Sequence, residues 1–329
     1  MTVDMRSFLQ QIKKTNDVFT VKKGVSTKYE IAAITEKLDE SKAVLFENIK
    51  GSKFKMVSNL VGSRDRFAQA IGAKKSDINQ KIVKAISSAK KPKISKTAKF
   101  FENSSKDISI LPIVTHFQNE SGPFITSSIL YTGNQEKKSQ NSSFHRLMPI
   151  GKNQFSIRMV ESRDLHRSFM FAKNHGKDLP VAITIGVHPA ISIACAFQAK
   201  WGKNELEIAN SLMNNKLTLT KCPSTGLLVP STAEIVMEGK ILRNKTHKEW
   251  MVEMLRTYDM PRPAPVIQIE KLYFRNNPIY HDILSGYNEA RLLMGMPIEA
   301  KLNSIMKKKF PQTKQVILTS GGANWLHRL

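Results

Sequence analysis

Between Ile108 and Cys222 the sequence breaks into short β-rich runs, ISILPIVTHF, GPFITSSILYTG, NQFSIRMV, LPVAITIGV and LTLTKC, parted by Gly, Pro and Asn. Val, Ile, Thr, Phe and Tyr fit a pleated, half-buried surface, and strands this closely spaced suggest a barrel or half-barrel. TAEIVMEGKI and PVIQIEKLYF extend the series. Helical patterns interrupt it at RDLHRSFMFAKNHG and NELEIANSLMNN, with Asp164 and Asn204 as caps, and a further helix is expected at EARLLMG.

The first hundred residues have a different texture. An amphipathic start is followed by strand-like AVLFENIKG and FKMVSNLVGS and by a helical RDRFAQAIGA, an α/β unit. The lysine-rich stretch from Lys81 to Lys99 predicts an exposed helix and then a linker. At 329 residues the chain is too long for one ordinary core. The expected division is 1–105, 106–300 and 301–329. In the last of these QVILTSGG reads as a strand and turn opening a C-terminal α/β domain that the sequence leaves incomplete.

Several classes are disfavoured. No stretch approaches eighteen consecutive apolar residues and the start lacks a secretory pattern, so a soluble, cytoplasmic protein is expected. Cys195 and Cys222 show no metal or disulfide spacing and read as reduced thiols. The motifs of nucleotide hydrolysis, Rossmann redox chemistry, serine hydrolysis and zinc proteolysis are absent. A formal net charge of +24 favours an anionic partner, either nucleic acid or a phosphorylated small molecule. Aromatics are nevertheless sparse along the lysine run, whose default is a solvated face.

Among residues that could carry chemistry, Asn153 and Arg158 lie five apart on an expected strand. The planar fork of Arg matches a carboxylate or phosphate, although an exposed strand Arg is commoner. His166 and Glu205 each sit early in a helix, and with an Asn oxygen they would suit a divalent metal; a surface His and a first-turn acid favoured by the helix dipole are the plainer readings. Glu249 and Glu253 flank an apolar centre and could divide into a proton donor and an orienting charge, against the alternative of a solvated acidic pair. His188 and His281 read as satisfied core or loop histidines.

Taken in order, FKMVSNLVGSRDRFAQAIG, LPVAITIGVHPA, KCPSTGLLVPSTAEIVMEGKI, FRNNPIYHDIL, LLMGMPIEA and VILTSGGANWLH resemble the UbiD-type decarboxylase family over nearly the whole chain. The resemblance implies an N-terminal α/β domain, a central split β-barrel that binds flavin, and a C-terminal α/β domain. It implies prenylated FMN as cofactor, with Mn²⁺ or another divalent metal and K⁺ at its phosphate. Asn153, Ser156, Ile157, Arg158, Leu165 and His166 fall on cofactor-binding positions, and Asn153, His166 and Glu205 on metal positions. By the same resemblance Arg158 orients the substrate carboxylate, Glu253 donates the proton, and Glu249 completes an ionic network with them. Glu234 and Glu238 look structural. The family's Gly-Pro pair is missing between Glu249 and Glu253, which are one residue closer than the pattern.

KEWMVEMLRTYD and FRNNPIYHDIL look closest to archaeal members, some of which convert trans-anhydromevalonate 5-phosphate to isopentenyl phosphate. The implied partners are an unsaturated acid, phosphorylated in that case, a flavin prenyltransferase that supplies the cofactor, and further copies of the chain. Two competing expectations are a basic nucleic-acid-binding protein and a catalytically inactive, truncated relative.

Overall fold

The computed structural model of the chain describes residues 2–197 and 199–322. Asp4 caps α1 (Met5–Lys14) through a capping box with Ser7, and Met5, Phe8, Leu9 and Ile12 turn one face of the helix inward. There follow β1 (Val18–Val21), α2 (Glu30–Lys37), β2 (Ala43–Phe46), β3 (Lys55–Ser58) and α3 (Arg64–Ile71). Ser63 caps α3 and Gly72 ends it at φ 63°, a left-handed conformation suited to a residue without Cβ.

Next come α4 (Ile78–Ser87), β4 (Lys93–Ser95) and β5 (Asn103–Ser105). The lysine-rich stretch is therefore more ordered than a helix and a linker. Ile78, Ile82 and Ala85 bury one face of α4, and β4 pairs in parallel with a later strand while its side chains stay largely exposed. Lysine side chains can reach water from an edge strand whose backbone pairs on one side, so charge alone did not reveal it.

The central region contains β6 (Ile129–Asn134), β7 (Ser139–Phe144), β8 (Leu147–Gly151), β9 (Gln154–Ile157), α5 (Asp164–Asn174), β10 (Leu179–Ile185), α6 (Pro189–Cys195), α7 (Glu205–Leu212), β11 (Thr218–Lys221), β12 (Leu228–Pro230), β13 (Ile235–Glu249) and β14 (Arg262–Phe274). Its large sheet runs β7-β6-β10-β13-β14-β9-β8, with β5 also on β14, and it does not close. The end strands β7 and β8 are consecutive in the chain. A bridge between Ile125 and Leu147, and the His145 amide on the Ser128 carbonyl, hold the connection between them.

Alternation along these strands separates two cores. Leu130, Val181, Ile183, Ile185, Ile235 and Met237 enter one core, and Ile129, Tyr131, Ala182 and Val236 enter the other with α3, α4, α6 and α7. A smaller sheet, β1-β2-β3-β15, takes its fourth strand from β15 (Ile279–Asp282), far along the sequence. It feeds the same two cores, through Leu45 and Val57 on one face and Phe46 and Met56 on the other. A third sheet is β12-β11-β4.

Three local expectations are corrected and one is extended. ISILPIVTHF forms a 3₁₀ turn at Ile108–Ile110 and isolated bridges rather than a strand; Pro112 lacks the N–H a ladder requires. Asp164 is the first residue of α5 and not its cap, a position held by Arg163 without a side-chain bond. The helix at EARLLMG is α8 (Asn288–Lys309), which runs through Pro297 because Leu292, Leu293, Met296 and Ala300 pack into the core. Residues 313–319 form no strand: the Asn303 side chain takes both the amide and the carbonyl of Val316 (2.9 and 2.6 Å), and Glu299 takes the Leu318 amide (2.8 Å). Ala323 to Leu329, the end of the VILTSGGANWLH match, lie outside the described residues. Among the described residues no helix is long and apolar enough to cross a membrane.

Candidate active site

The β8–β9 ladder pairs Leu147 with Ile157 and Met148 with Ser156, so one step further Arg146 and Arg158 face each other. His145, between β7 and β8, fixes this end of the ladder. Its Nδ1 lies 3.0 Å from the Arg158 carbonyl and its Nε2 lies 2.9 Å from Ser143 Oγ. A carbonyl only accepts, so Nδ1 carries the hydrogen and Nε2 accepts from the hydroxyl. Burial pushes His145 down to about 4 against the hydrogen bond to Arg158, so the ring is neutral near pH 7.

Acidic residues arrive from the opposite side. Glu249 ends β13 opposite Arg262, which opens β14. The loop between them folds back through a Val252–Tyr258 bridge, with the Glu253 amide on the Thr257 carbonyl (2.8 Å) and the Asp259 amide on the Met251 carbonyl (2.9 Å). One guanidinium gathers its three carboxylates: Arg146 lies 3.0 Å from Glu249, 2.6 Å from Glu253 and 3.2 Å from Asp259. Burial would lower the pKa of Arg146, but Glu249 and Glu253 outweigh it and hold it above the ordinary value. Glu249 is 1% exposed at its side chain and its Oε2 is buried without a partner among the described residues, whereas the Glu253 side chain is 48% exposed.

This corrects the expected network. Arg158 touches neither Glu249 nor Glu253; it approaches only Asp259, at 3.8 Å through Nε, and donates from Nη1 to the Met159 carbonyl at 3.3 Å. Arg262 also approaches Asp259, at 3.8 Å, so three cations face three carboxylates. Sequence reasoning missed Arg146 because FHRLM bears no spacing relation to the acids; its signal is the strand register.

A second group lies beside β7. Asn204 caps α7 by accepting from the Leu206 amide (3.0 Å), which leaves Glu205 in the first turn. Glu205 is buried and accepts the Ser142 amide at 2.9 Å. Burial, opposed by backbone hydrogen bonds from its own amide and from Ser142 and aided by Asp164 at the start of α5, pushes it up to about 8. The start of α5 therefore lies within electrostatic reach of Glu205. His166 is two residues on, half-buried and without a hydrogen bond among the described residues. Ser142 Oγ is also buried and unpartnered.

The other expected site residues are placed as follows. Asn153, in a turn at φ 58°, accepts the Ile108 amide on Oδ1 at 3.2 Å, and no contact joins it to Glu205 among the described residues. Ile157 and Leu165 are buried in one core, and Ser156 Oγ is buried and unpartnered. Among the described residues no three His, Cys, Asp or Glu side chains gather as a metal group. The Asn153, His166 and Glu205 set contains only two residues of those types. A buried carboxylate with no cation beside it among the described residues, and a hydroxyl unpartnered among them, nevertheless fit a divalent metal and a phosphate.

The remaining candidates are structural. His188 caps α6 through the Ala190 amide (3.1 Å) and meets Thr2 Oγ1 at 2.7 Å; His281 meets Glu289 at 3.1 Å. Glu234 is bound by Arg6 and Arg275, and Glu238 accepts from Ser224 and Thr225. Cys195 and Cys222 are buried, free thiols.

Comparison with known proteins agrees with this fold. Residues 9–86 match the 3-octaprenyl-4-hydroxybenzoate carboxy-lyase N-terminal domain, and residues 87–288 match the Rift-related domain of the same carboxy-lyases. The anhydromevalonate phosphate decarboxylase of Methanothermobacter thermautotrophicus is 32% identical over 98% of this chain and 75% of its own length; that of Methanosarcina mazei is 34% identical over 98% and 74%. An evolved dimeric form of the UbiD-class enzyme HmfF from Pelotomaculum thermopropionicum, solved with prFMN, superposes with a TM-score of 0.96 at 32% identity, over 98% of this chain and 77% of its own. The chain belongs to the UbiD family of carboxy-lyases.

Proposed function

We propose that the chain decarboxylates a small α,β-unsaturated acid with prenylated FMN as cofactor, and that the acid carries a phosphate, as in the anhydromevalonate phosphate decarboxylases it resembles. The observation that carries this reading is a half-exposed carboxylate, Glu253, held by Arg146 on the strand next to Arg158, whose Nη2 has no partner among the described residues. Arg158 binds the substrate carboxylate through its fork, and Glu253 delivers a proton to the carbon that loses carbon dioxide. Glu249, almost fully buried, holds Arg146 in place. When bound, prenylated FMN supplies the electron sink for the pair released as the C–C bond breaks.

Glu205 and His166, with Asn153 turned from Ile108, would hold Mn²⁺ or a similar cation, and K⁺ would add charge at the cofactor phosphate. Ser156 and Ile157 would offer their backbone and Leu165 its apolar surface to the flavin. A flavin prenyltransferase supplies the cofactor, the chain works as a homo-oligomer, and the setting is the cytoplasm. The test is co-expression with such a prenyltransferase. Purified protein should show flavin absorbance and bound Mn²⁺, and Glu253→Gln should keep both and lose turnover; retained turnover in that variant would reject the assignment.

A further inference from the structure

The loop from Trp250 to Met260 has an unusual attachment at its open edge. Its root Glu249, its tip Glu253 and its return Asp259 all converge on Arg146, which the register brings next to Arg158. The loop's other ties lie away from the Glu253 carboxylate: Trp250 to Ser121 (3.0 Å), Val252 to Glu120 (3.1 Å), Ser285 to the Val252 carbonyl (2.8 Å), Arg256 to the Gly286 carbonyl (3.3 Å) and over the Tyr287 ring (3.9 Å from its centre), and Met251 buried in a cluster with Phe124 and Met148. None of these touches the Glu253 carboxylate. Arg146 alone binds it among the described residues, and its flank rests on Phe124, with the guanidinium 6.0 Å from the ring centre.

Two arginines thus stand side by side with unequal loads. The fork of Arg146 is spent on three acids, while Arg158 gives one hydrogen bond to a carbonyl and a 3.8 Å approach to Asp259. Were Arg158 to hold the acids, its donors would be occupied when the substrate carboxylate arrived. Placing that load on a neighbouring strand removes the conflict.

We propose that Arg146 is the positioning residue of the site: it pins the 249–259 loop so that Glu253 faces the reacting carbon, and it leaves the Arg158 fork free for the substrate carboxylate. This rests on the decarboxylase reading given above. Arg146 touches no substrate and acts through Glu253.

The test combines hydrogen exchange on the purified protein with kinetics of the cofactor-loaded enzyme. In Arg146→Gln, amides of residues 251–259 exchange about tenfold faster or more. In the same variant kcat falls about 100-fold while KM changes little, because a misplaced donor slows the chemical step and not binding. In Arg158→Gln loop exchange matches wild type and KM rises. Unchanged loop exchange in Arg146→Gln, or equal loosening by Arg158→Gln, each overturns the proposal. If Arg146→Gln does not fold, Arg146→Lys, which cannot span three acids, must still give faster loop exchange than wild type; equal exchange overturns it. Absence of turnover in loaded wild type would sink the decarboxylase reading, and loop exchange would still decide what Arg146 holds.

Discussion

The Arg146 cluster and the Glu205 pocket both bury carboxylates, but they balance them differently. Around Arg146 three carboxylates meet three guanidiniums, so the charge is compensated within the protein. Beside β7, Glu205 is buried with backbone amides as donors and no cation among the described residues, and burial drives it up to about 8. A compensated cluster can hold its geometry by itself. An uncompensated buried carboxylate is costly unless a cation arrives from outside. Under the proposed function, the first region is machinery kept in position and the second a seat for a ligand.

The largest effect expected from breaking this contrast is at Glu205. Glu205→Gln should weaken Mn²⁺ binding by about 100-fold or more, read by calorimetric titration of the purified protein, whereas Arg146→Gln should leave it unchanged. Equal losses in both variants would mean the two regions are one site.

Stability sharpens the same comparison. Arg146→Gln strands Glu249, which is buried, and should cost about 3 kcal/mol in urea unfolding. Glu253→Gln, half-exposed, should cost less than about 1 kcal/mol. A Glu253 loss as large as the Arg146 loss would show that the exposed arm of the cluster is structural.

Much of the fold was legible because its signals are local. Alternating runs such as LPVAITI and AEIVMEG, the Asn204 cap and the helical RDRFAQAIGA all depend on residues close in sequence. What was missed depends on distant partners. Strand β4 exists because β11 is there to pair with it, and α8 passes Pro297 because the core holds its flank. Arg146 finds its acids 103, 107 and 113 residues away, a relation no spacing rule encodes. The candidate site residues Asn153, Arg158, His166, Glu205 and Glu253 were preferred to their ordinary surface or helix-end explanations only through the family resemblance.

A buried group outside both regions serves as a control, with the smallest expected effect. Burial pushes His188 down to about 4 from its ordinary 6.5. The folded chain then binds no proton there between those values while the unfolded chain does, so stability is fully present above pH 6.5 and erodes as pH falls toward 4. His188→Asn, which keeps a capping side chain, should make the slope of unfolding free energy against pH shallower by about one proton in that window. An unchanged slope would show that the ring is not held neutral.

The most direct measurement is carbon dioxide release from trans-anhydromevalonate 5-phosphate by protein purified with its flavin and metal, wild type beside Glu253→Gln. The account predicts release by wild type and none by the variant at equal flavin content. A fully loaded wild-type protein that releases nothing from this or any related unsaturated acid, or a variant that matches it, would contradict the account.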